Sequence, residues 1–379
     1  MRYLIINPLS VFTLTWLSVV LLYSARWSDV LIIDSWFIVF FVISFVLSPF
    51  MAGFSISYFI PVKKGKDHGL TRETIISSKR LKLFAVSFVV VTFIEIAIFK
   101  GFPVLWFLVG DSRGYADYGI PTVHGLVNAM HLSLITISFY LAIKRRVSWV
   151  YFFILIIWCV LMFSRFLIMV SIVQCLFLYF LTSNVRFSRV LITIFFGFAF
   201  IYLFGLIGGM RSGIEDTAQF FGVNENFPDF LPVVFIWVYI YLLSPINNLA
   251  SWYGYVSYDF TFPSVFATLL PSVIRDFLYS KKADDSSLPL VHEAFNMSTG
   301  LAPAFADAGI IGMLIFLLFF GFASGILWRL SKGLTNYFSL AVMLQCVFYL
   351  VFFNPLFTLP ILFQFFIFRF LISYKVINH

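Results

Sequence analysis

The chain has 379 residues, 61% of them hydrophobic and only 11% charged, with a formal net charge of +8. A soluble domain carries roughly 25% charged residues and cannot hide so much apolar surface, 52 phenylalanines included. A soluble enzyme, a nucleic-acid-binding module and a disordered linker protein are therefore excluded. The basic balance does not itself imply nucleic acid, because membrane proteins gather Lys and Arg on one side.

A transmembrane helix needs about 20 mostly apolar residues. The apolar runs predict ten spans in chain order: 7–24, 35–60, 82–99, 123–143, 147–163, 166–182, 190–208, 309–328, 337–353 and 356–373. The first run lacks a small-residue cleavage site and reads as an uncleaved span rather than a signal peptide. Cys159, Cys175 and Cys346 each lie inside an apolar run, without metal-ligand spacing, and read as packing residues.

The charges then orient the chain. With the N-terminus inside, the cytoplasmic segments hold 17 of the 25 basic residues, among them Lys63, Lys64, Lys66, Arg72, Lys79, Arg80 and Lys82 in one loop and Lys144, Arg145 and Arg146 in another. That excess places both termini in the cytoplasm. Topology and attraction to anionic lipid account for the basic charge, so no nucleic-acid partner is expected. The expected organisation is a seven-span bundle (1–208), a long extracytoplasmic segment (209–308) and three C-terminal spans (309–379). Within the long segment, the apolar stretch 231–249 is interrupted by Ser244-Pro245 and is expected to be re-entrant or to lie at the interface. Its aromatic remainder, Trp252 to Phe262, is expected to pack as a lid.

Four arginines lie on the side where topology gives no reason for them: Arg113, Arg165, Arg211 and Arg275. Guanidinium forks match phosphate oxygens, and four around one vestibule could hold a pyrophosphate. Local carboxylates offer three of them another partner: Asp111 or Asp117 for Arg113, Glu215 or Asp216 for Arg211, and Asp276 for Arg275. Arg165 has none nearby. A second concentration runs over 292–312 and contains His292, Glu293, Asn296, Thr299 and Asp307. A His or carboxylate beside a sugar hydroxyl could act as a general base. Helix capping is the other reading for Asn296, Ser298 and Asp307. The first sizeable outer loop, Gly110-Asp111-Ser112-Arg113-Gly114-Tyr115 with Tyr118, mixes acid, Arg and aromatic rings, as sugar platforms do; a plain turn is the alternative. Glu95 and His131 lie inside spans, Glu95 as a functional candidate and His131 as a packing residue.

Phosphate-loop, zinc-protease, serine-elbow and Asp-x-Asp patterns are absent from the sequence. Neither metal nor cofactor is expected, so the energy must arrive with the substrate. A lipid-linked donor with a pyrophosphate leaving group meets that need, and outward arginines would stabilise the departing charge.

This pattern resembles the Wzy-type O-antigen polymerases, which polymerise oligosaccharide repeat units in bacterial surface polysaccharide assembly. The likeness covers most of the chain as architecture. Locally it rests on Gly110 to Gly114, Ser164-Arg165, Gly209-Met210-Arg211, Tyr241 to Asn247, Asn296 to Thr299, and Phe305-Ala306-Asp307-Ala308-Gly309 with Gly312. The resemblance implies an all-α polytopic membrane protein of about ten transmembrane helices with a large periplasmic loop (209–308), akin to the GT-C-like membrane glycosyltransferases and the O-antigen ligase. It implies a glycosyl transfer on the periplasmic face of the inner membrane, from undecaprenyl pyrophosphate to the non-reducing end of a lipid-linked repeat unit. Arg113, Arg165, Arg211 and Arg275 would bind the pyrophosphates. His292 or Glu293 would be the base, and Asp111 and Asp307 would orient arginine or sugar. Tyr115, Tyr241, Asn247, Asn296 and Thr299 would line the sugar site. Partners would be the lipid-linked oligosaccharide, membrane lipids, and a chain-length regulator and flippase of the same pathway. The competing readings are the ligase, which uses the same donor, a transporter of lipid-linked sugars, and an integral acyltransferase built on His131 and His292. The transporter reading expects repeats and many intramembrane charges, neither of which the sequence shows.

Overall fold

The computed structural model describes residues 6–61, 71–183, 217–252, 264–270, 272–279, 297–330 and 334–377, with single positions 188, 192, 197, 202, 290 and 295 between them. The described chain is almost entirely helical: α1 (Pro8–Ser24), α2 (Ser35–Phe59), α3 (Ser78–Phe99), α4 (Pro103–Leu108), α5 (Val123–Ile143), α6 (Trp149–Leu161), α7 (Arg165–Thr182), α8 (Phe235–Ser251), α9 (Ser272–Tyr279), α10 (Ala302–Arg329), α11 (Leu334–Tyr349) and α12 (Leu359–Leu371). Among the described residues, five runs are long and apolar enough to cross a membrane: α2, α5, α7, α10, and the stretch Ser78–Leu108 that carries α3 and α4. Helices α1, α6, α11 and α12 are apolar but shorter. These nine coincide with nine of the ten expected spans; the remaining one, 190–208, falls almost wholly outside the described residues. Large apolar side chains such as Leu21, Phe40, Phe93, Phe153, Ile311 and Phe366 stand exposed on six different helices. Water would penalise such a surface and lipid does not, so the chain is a helical membrane protein.

Helix α2 has a composite backbone. Asp34 caps it, accepting from the Trp36 N–H at 2.7 Å, and this bond first, with Arg26 among the lesser causes, holds the Asp34 carboxyl below its usual range. At Val42–Leu47 the helix widens to a π-turn, in which the Ser48 N–H reaches back five residues to the Ile43 carbonyl. Pro49 explains the widening: it has no N–H to donate and its ring crowds the carbonyl four residues back.

The tightest packing lies between α2 and α10. A Cβ on Gly53 would collide with the Leu318 carbonyl, one on Gly321 with the Phe50 carbonyl, and one on Gly325 with the Ser57 side chain. The three glycines let the two backbones touch, the usual device where lipid removes the hydrophobic drive for association. Phe12, Phe50 and Phe320 continue the contact into the core, with Phe12 stacked on Phe50 at 3.8 Å. Elsewhere an amide ties three helices together: Gln174 Nε2 on α7 donates to Thr136 Oγ1 on α5 at 2.9 Å and to Gln364 Oε1 on α12 at 2.7 Å. His131, expected to be a packing residue, stacks on Phe88 at 5.2 Å and bonds the Leu155 carbonyl through Nε2. All three cysteines are buried and free.

The all-α expectation holds for the helical body, beside which the described residues form one small β-pair. Strands β1 (Thr71–Ile76) and β2 (Ile372–Ile377) pair antiparallel, with Thr71 opposite Ile377 and Ile76 opposite Ile372. They join the basic loop to the C-terminal tail, two segments that the charge count assigns to the same side. Other contacts at that end agree: Lys144 Nζ donates to the Thr182 carbonyl, Arg80 to the Phe370 carbonyl, and Arg329 to the carbonyls of Ser57 and Ile60. At the opposite end, Ser28 bridges Val223 and Trp27 stacks on Tyr239 at 4.9 Å. These contacts dock residues 217–252 onto the turn between α1 and α2. No residue of α8 is exposed. The helical part of the stretch read as re-entrant or interfacial packs against α1 and α2, its Asn247 and Asn248 bonded inside the protein.

The glycine contact yields a prediction. Gly321→Val should cost about 1–3 kcal/mol or more through overpacking, read as a lowered melting temperature in detergent. Gly114→Ala should melt like wild type, since nothing lies within 4 Å of its added Cβ.

Candidate active site

The polar chemistry gathers at the end opposite the β-pair. Helix α3 stops at Lys100 in the left-handed region, Pro103 starts α4, and the loop 109–122 runs back to α5. Within it the Asp111 carboxylate accepts from the Arg113 backbone N–H at 3.0 Å and from its guanidinium at 3.0 and 2.6 Å. A third guanidinium nitrogen donates to the Phe99 carbonyl at 3.0 Å, and the fork lies 4.2 Å over the Trp106 ring. The Arg113 side chain beside Asp111 is the main reason its carboxyl sits below the usual range. Of the two partners offered for Arg113, the structure shows the local carboxylate of Asp111. Gly114 N–H donates to Asp117, and the Tyr115 ring stands edge-on to His124 at 6.2 Å.

Arg165 differs. Phe163 turns the chain with a φ of 51°, Ser164 caps α7 by accepting from the Leu167 N–H, and Arg165 is the first helical residue. Its guanidinium is exposed and has no partner among the described residues. A cation at a helix N-terminus meets the positive end of the dipole, which is unfavourable unless an anion is shared. The neighbouring Phe166 packs on Phe353 at 5.6 Å. Beside it the Gly300 N–H bonds the Leu350 carbonyl, and both polar side-chain atoms of Asn354 are buried without a partner.

Asn248 Nδ2 holds the carbonyls of Phe295 and Met297 at 2.8 Å each, fixing the segment before α10. Asn247 is fully buried; its Oδ1 accepts from the Tyr23 hydroxyl at 2.6 Å and the Ile33 N–H at 3.3 Å, and its Nδ2 has no partner. Tyr241 meets Phe295 edge-on at 5.1 Å, and Thr299 Oγ1 caps the Leu301 N–H. Asp307 is buried and accepts from the Ser264 N–H at 2.6 Å, so it pins the 3₁₀ turn Ser264–Leu269 over the bundle. Directly after it α10 kinks, with Gly309 at φ 59°. Phe305 and Ile310, on either side of the kink, form one wall of an apolar cleft of about 210 Å³ whose other wall is Phe37, Phe40 and Phe45 from α2.

The structure thus brings Asp111, Arg113 and Tyr115 together in one loop, and Tyr241, Asn247, Thr299 and Asp307 around the start of α10. Arg275 lies half-buried on α9 and is engaged. Arg211, His292, Glu293 and Asn296 lie outside the described residues. The sequence reading passed over His124, whose Nδ1 lies 3.0 Å from Glu95 Oε2. The signal was present: an acid inside one span, and a His at the start of the next antiparallel one. No family model, curated protein or solved structure matches the chain.

The Asp111–Arg113 pair makes a prediction for the loop. Arg113→Ala and Asp111→Ala should speed amide exchange over 111–118 to similar extents, and the double variant should add little. Because the folded Asp111 value is lowered, its contribution is full above the ordinary value of 3.8 and disappears as pH falls through the lowered one. Exchange in wild type should therefore approach that of the variants only on strong acidification.

Proposed function

We propose that the protein polymerises lipid-linked oligosaccharide repeat units, moving the growing glycan from undecaprenyl pyrophosphate to the non-reducing end of an incoming unit on the periplasmic face of the bacterial inner membrane. One arrangement supports this reading above others. The apolar cleft is lined by residues on both sides of the kink that follows Asp307, and the unpartnered Arg165 guanidinium stands at the same end of the bundle. A lipid-linked saccharide has the matching order: an apolar tail, an anionic head and a polar glycan. The basic, β-paired end then faces the cytoplasm, with the C-terminal strand on that side.

The chemistry follows from the substrate. The acceptor hydroxyl oxygen attacks the anomeric carbon of the donor sugar, and the bond from that carbon to the pyrophosphate oxygen breaks. The pyrophosphate leaves with the electron pair, and a positioned guanidinium stabilises the charge it gains. Arg165 takes that role. Arg113 joins it where a phosphate oxygen shares the fork now held by Asp111. A glycosyl pyrophosphate is already activated, so the transfer runs without a further energy source. The four-arginine cradle and the assignment of His292 or Glu293 as base come from the family likeness.

The test is incubation of purified protein with synthetic undecaprenyl-pyrophosphate repeat unit, with and without EDTA. A ladder of products that persists in EDTA is expected. Arg165→Ala should lower its rate ~100-fold or more at unchanged protein level. Intact substrate with wild-type protein would overturn the reading, and full activity of the variant would remove Arg165 from the pyrophosphate site.

A further inference from the structure

Glu95 is 1% exposed near the outer end of α3. A carboxylate there is costly unless its lone pairs are used. It accepts from the Ile120 N–H at 3.2 Å and lies 3.0 Å from His124 Nδ1. A carboxylate on Nδ1 fixes the neutral ring with its proton on that nitrogen and leaves Nε2 with a lone pair. His124 Nε2 is buried and has no hydrogen-bond partner. The same holds for the Tyr118 hydroxyl, on a ring 5.3 Å from the imidazole, and for Thr92 Oγ1, one turn before Glu95 on α3. Three buried polar atoms without a partner thus lie on the dyad and the elements that carry it. The backbone is moulded to the ring: Gly119, at φ 98°, lies so close that a Cβ would strike the imidazole, and Thr122 holds a φ of 69°. Part of the His124 side chain, 16%, is accessible, but Nε2 and the two hydroxyls are themselves buried, so a sugar reaches them only when the loop before α5 gives way.

We propose that His124, in place of His292 or Glu293, is the base that accepts the proton of the acceptor-sugar hydroxyl, with Glu95 as its positioning residue and the Tyr118 and Thr92 hydroxyls as hydrogen-bond partners for the same sugar. The assignment rests on the polymerase reading. In the step, the acceptor O–H bond breaks and its proton passes to His124 Nε2. The oxygen forms the new bond to the anomeric carbon, and the pyrophosphate departs with its electron pair. The imidazolium that results is stabilised by Glu95, which stays ionised.

The test is steady-state kinetics of purified variants on the synthetic undecaprenyl-pyrophosphate repeat unit. His124→Ala should lower kcat ~100-fold or more with KM little changed, and added imidazole should restore part of the loss. His124→Gln keeps a donor toward Glu95 and should fold like wild type by size exclusion, yet be as slow. Glu95→Gln should lower kcat about tenfold with no rescue by imidazole. Wild-type turnover in His124→Gln, or a His124→Ala loss that imidazole does not reverse, would overturn the inference while the wild-type ladder leaves the polymerase reading standing. Absence of a wild-type ladder would instead sink that reading, and this assignment with it.

Discussion

The contact between the backbones of α2 and α10 sets the frame for everything else. Gly53, Gly321 and Gly325 bring the two backbones into close contact, so neither helix can slide or rotate without collision. At one end the contact is closed by Arg329, whose guanidinium takes the carbonyls that end α2. At the other end the helices diverge, because α2 widens to a π-turn before Pro49 and α10 kinks at Ala308 and Gly309. The apolar cleft is the space between those two irregularities. Asp307 sits at its rim because the kink places it there, and its bond to Ser264 brings the following 3₁₀ turn over the bundle.

Polar groups inside an apolar bundle divide into two kinds. Some that build the fold are paired, His131 with Leu155 and Asn248 with two carbonyls, while Gln174 bonds through Nε2 alone. Each trades a desolvation cost for a fixed helix or segment position. Two at the end opposite the β-pair are held on one side and idle on the other. Asn247 uses its oxygen and not its nitrogen, and His124 uses Nδ1 and not Nε2. Half-used groups on rigid helix ends are what a site for a hydroxyl-rich ligand requires.

Much of the framework was legible because its physics is local in sequence. Lipid solvation acts on runs of about 20 residues, so hydropathy alone located most of the helices. The Asp111–Arg113 pair was legible for the same reason, two residues apart in a turn. Long-range pairings were not. The β1–β2 pair joins residues some 300 positions apart, and the register of Thr71 with Ile377 has no signature in a basic loop and a short tail. The Ser264 partner of Asp307 and the contact of Glu95 with His124 likewise follow from how helices pack, which periodicity does not disclose. The stretch 231–249 was recognised as apolar, but its burial depends on the face that α1 and α2 offer it.

The central claim is that the end bearing Arg165, His124 and Asp307 receives a polyprenyl-pyrophosphate-linked saccharide. Photolabelling of the membrane-embedded protein with a diazirine-bearing undecaprenyl-pyrophosphate repeat unit, followed by peptide mapping, tests it most directly. The account predicts label on the 103–124, 162–170 and 297–310 segments, suppressed by excess unlabelled substrate. Competable label confined to the β-paired end, around 71–82, 144–148 and 329–336, would contradict it.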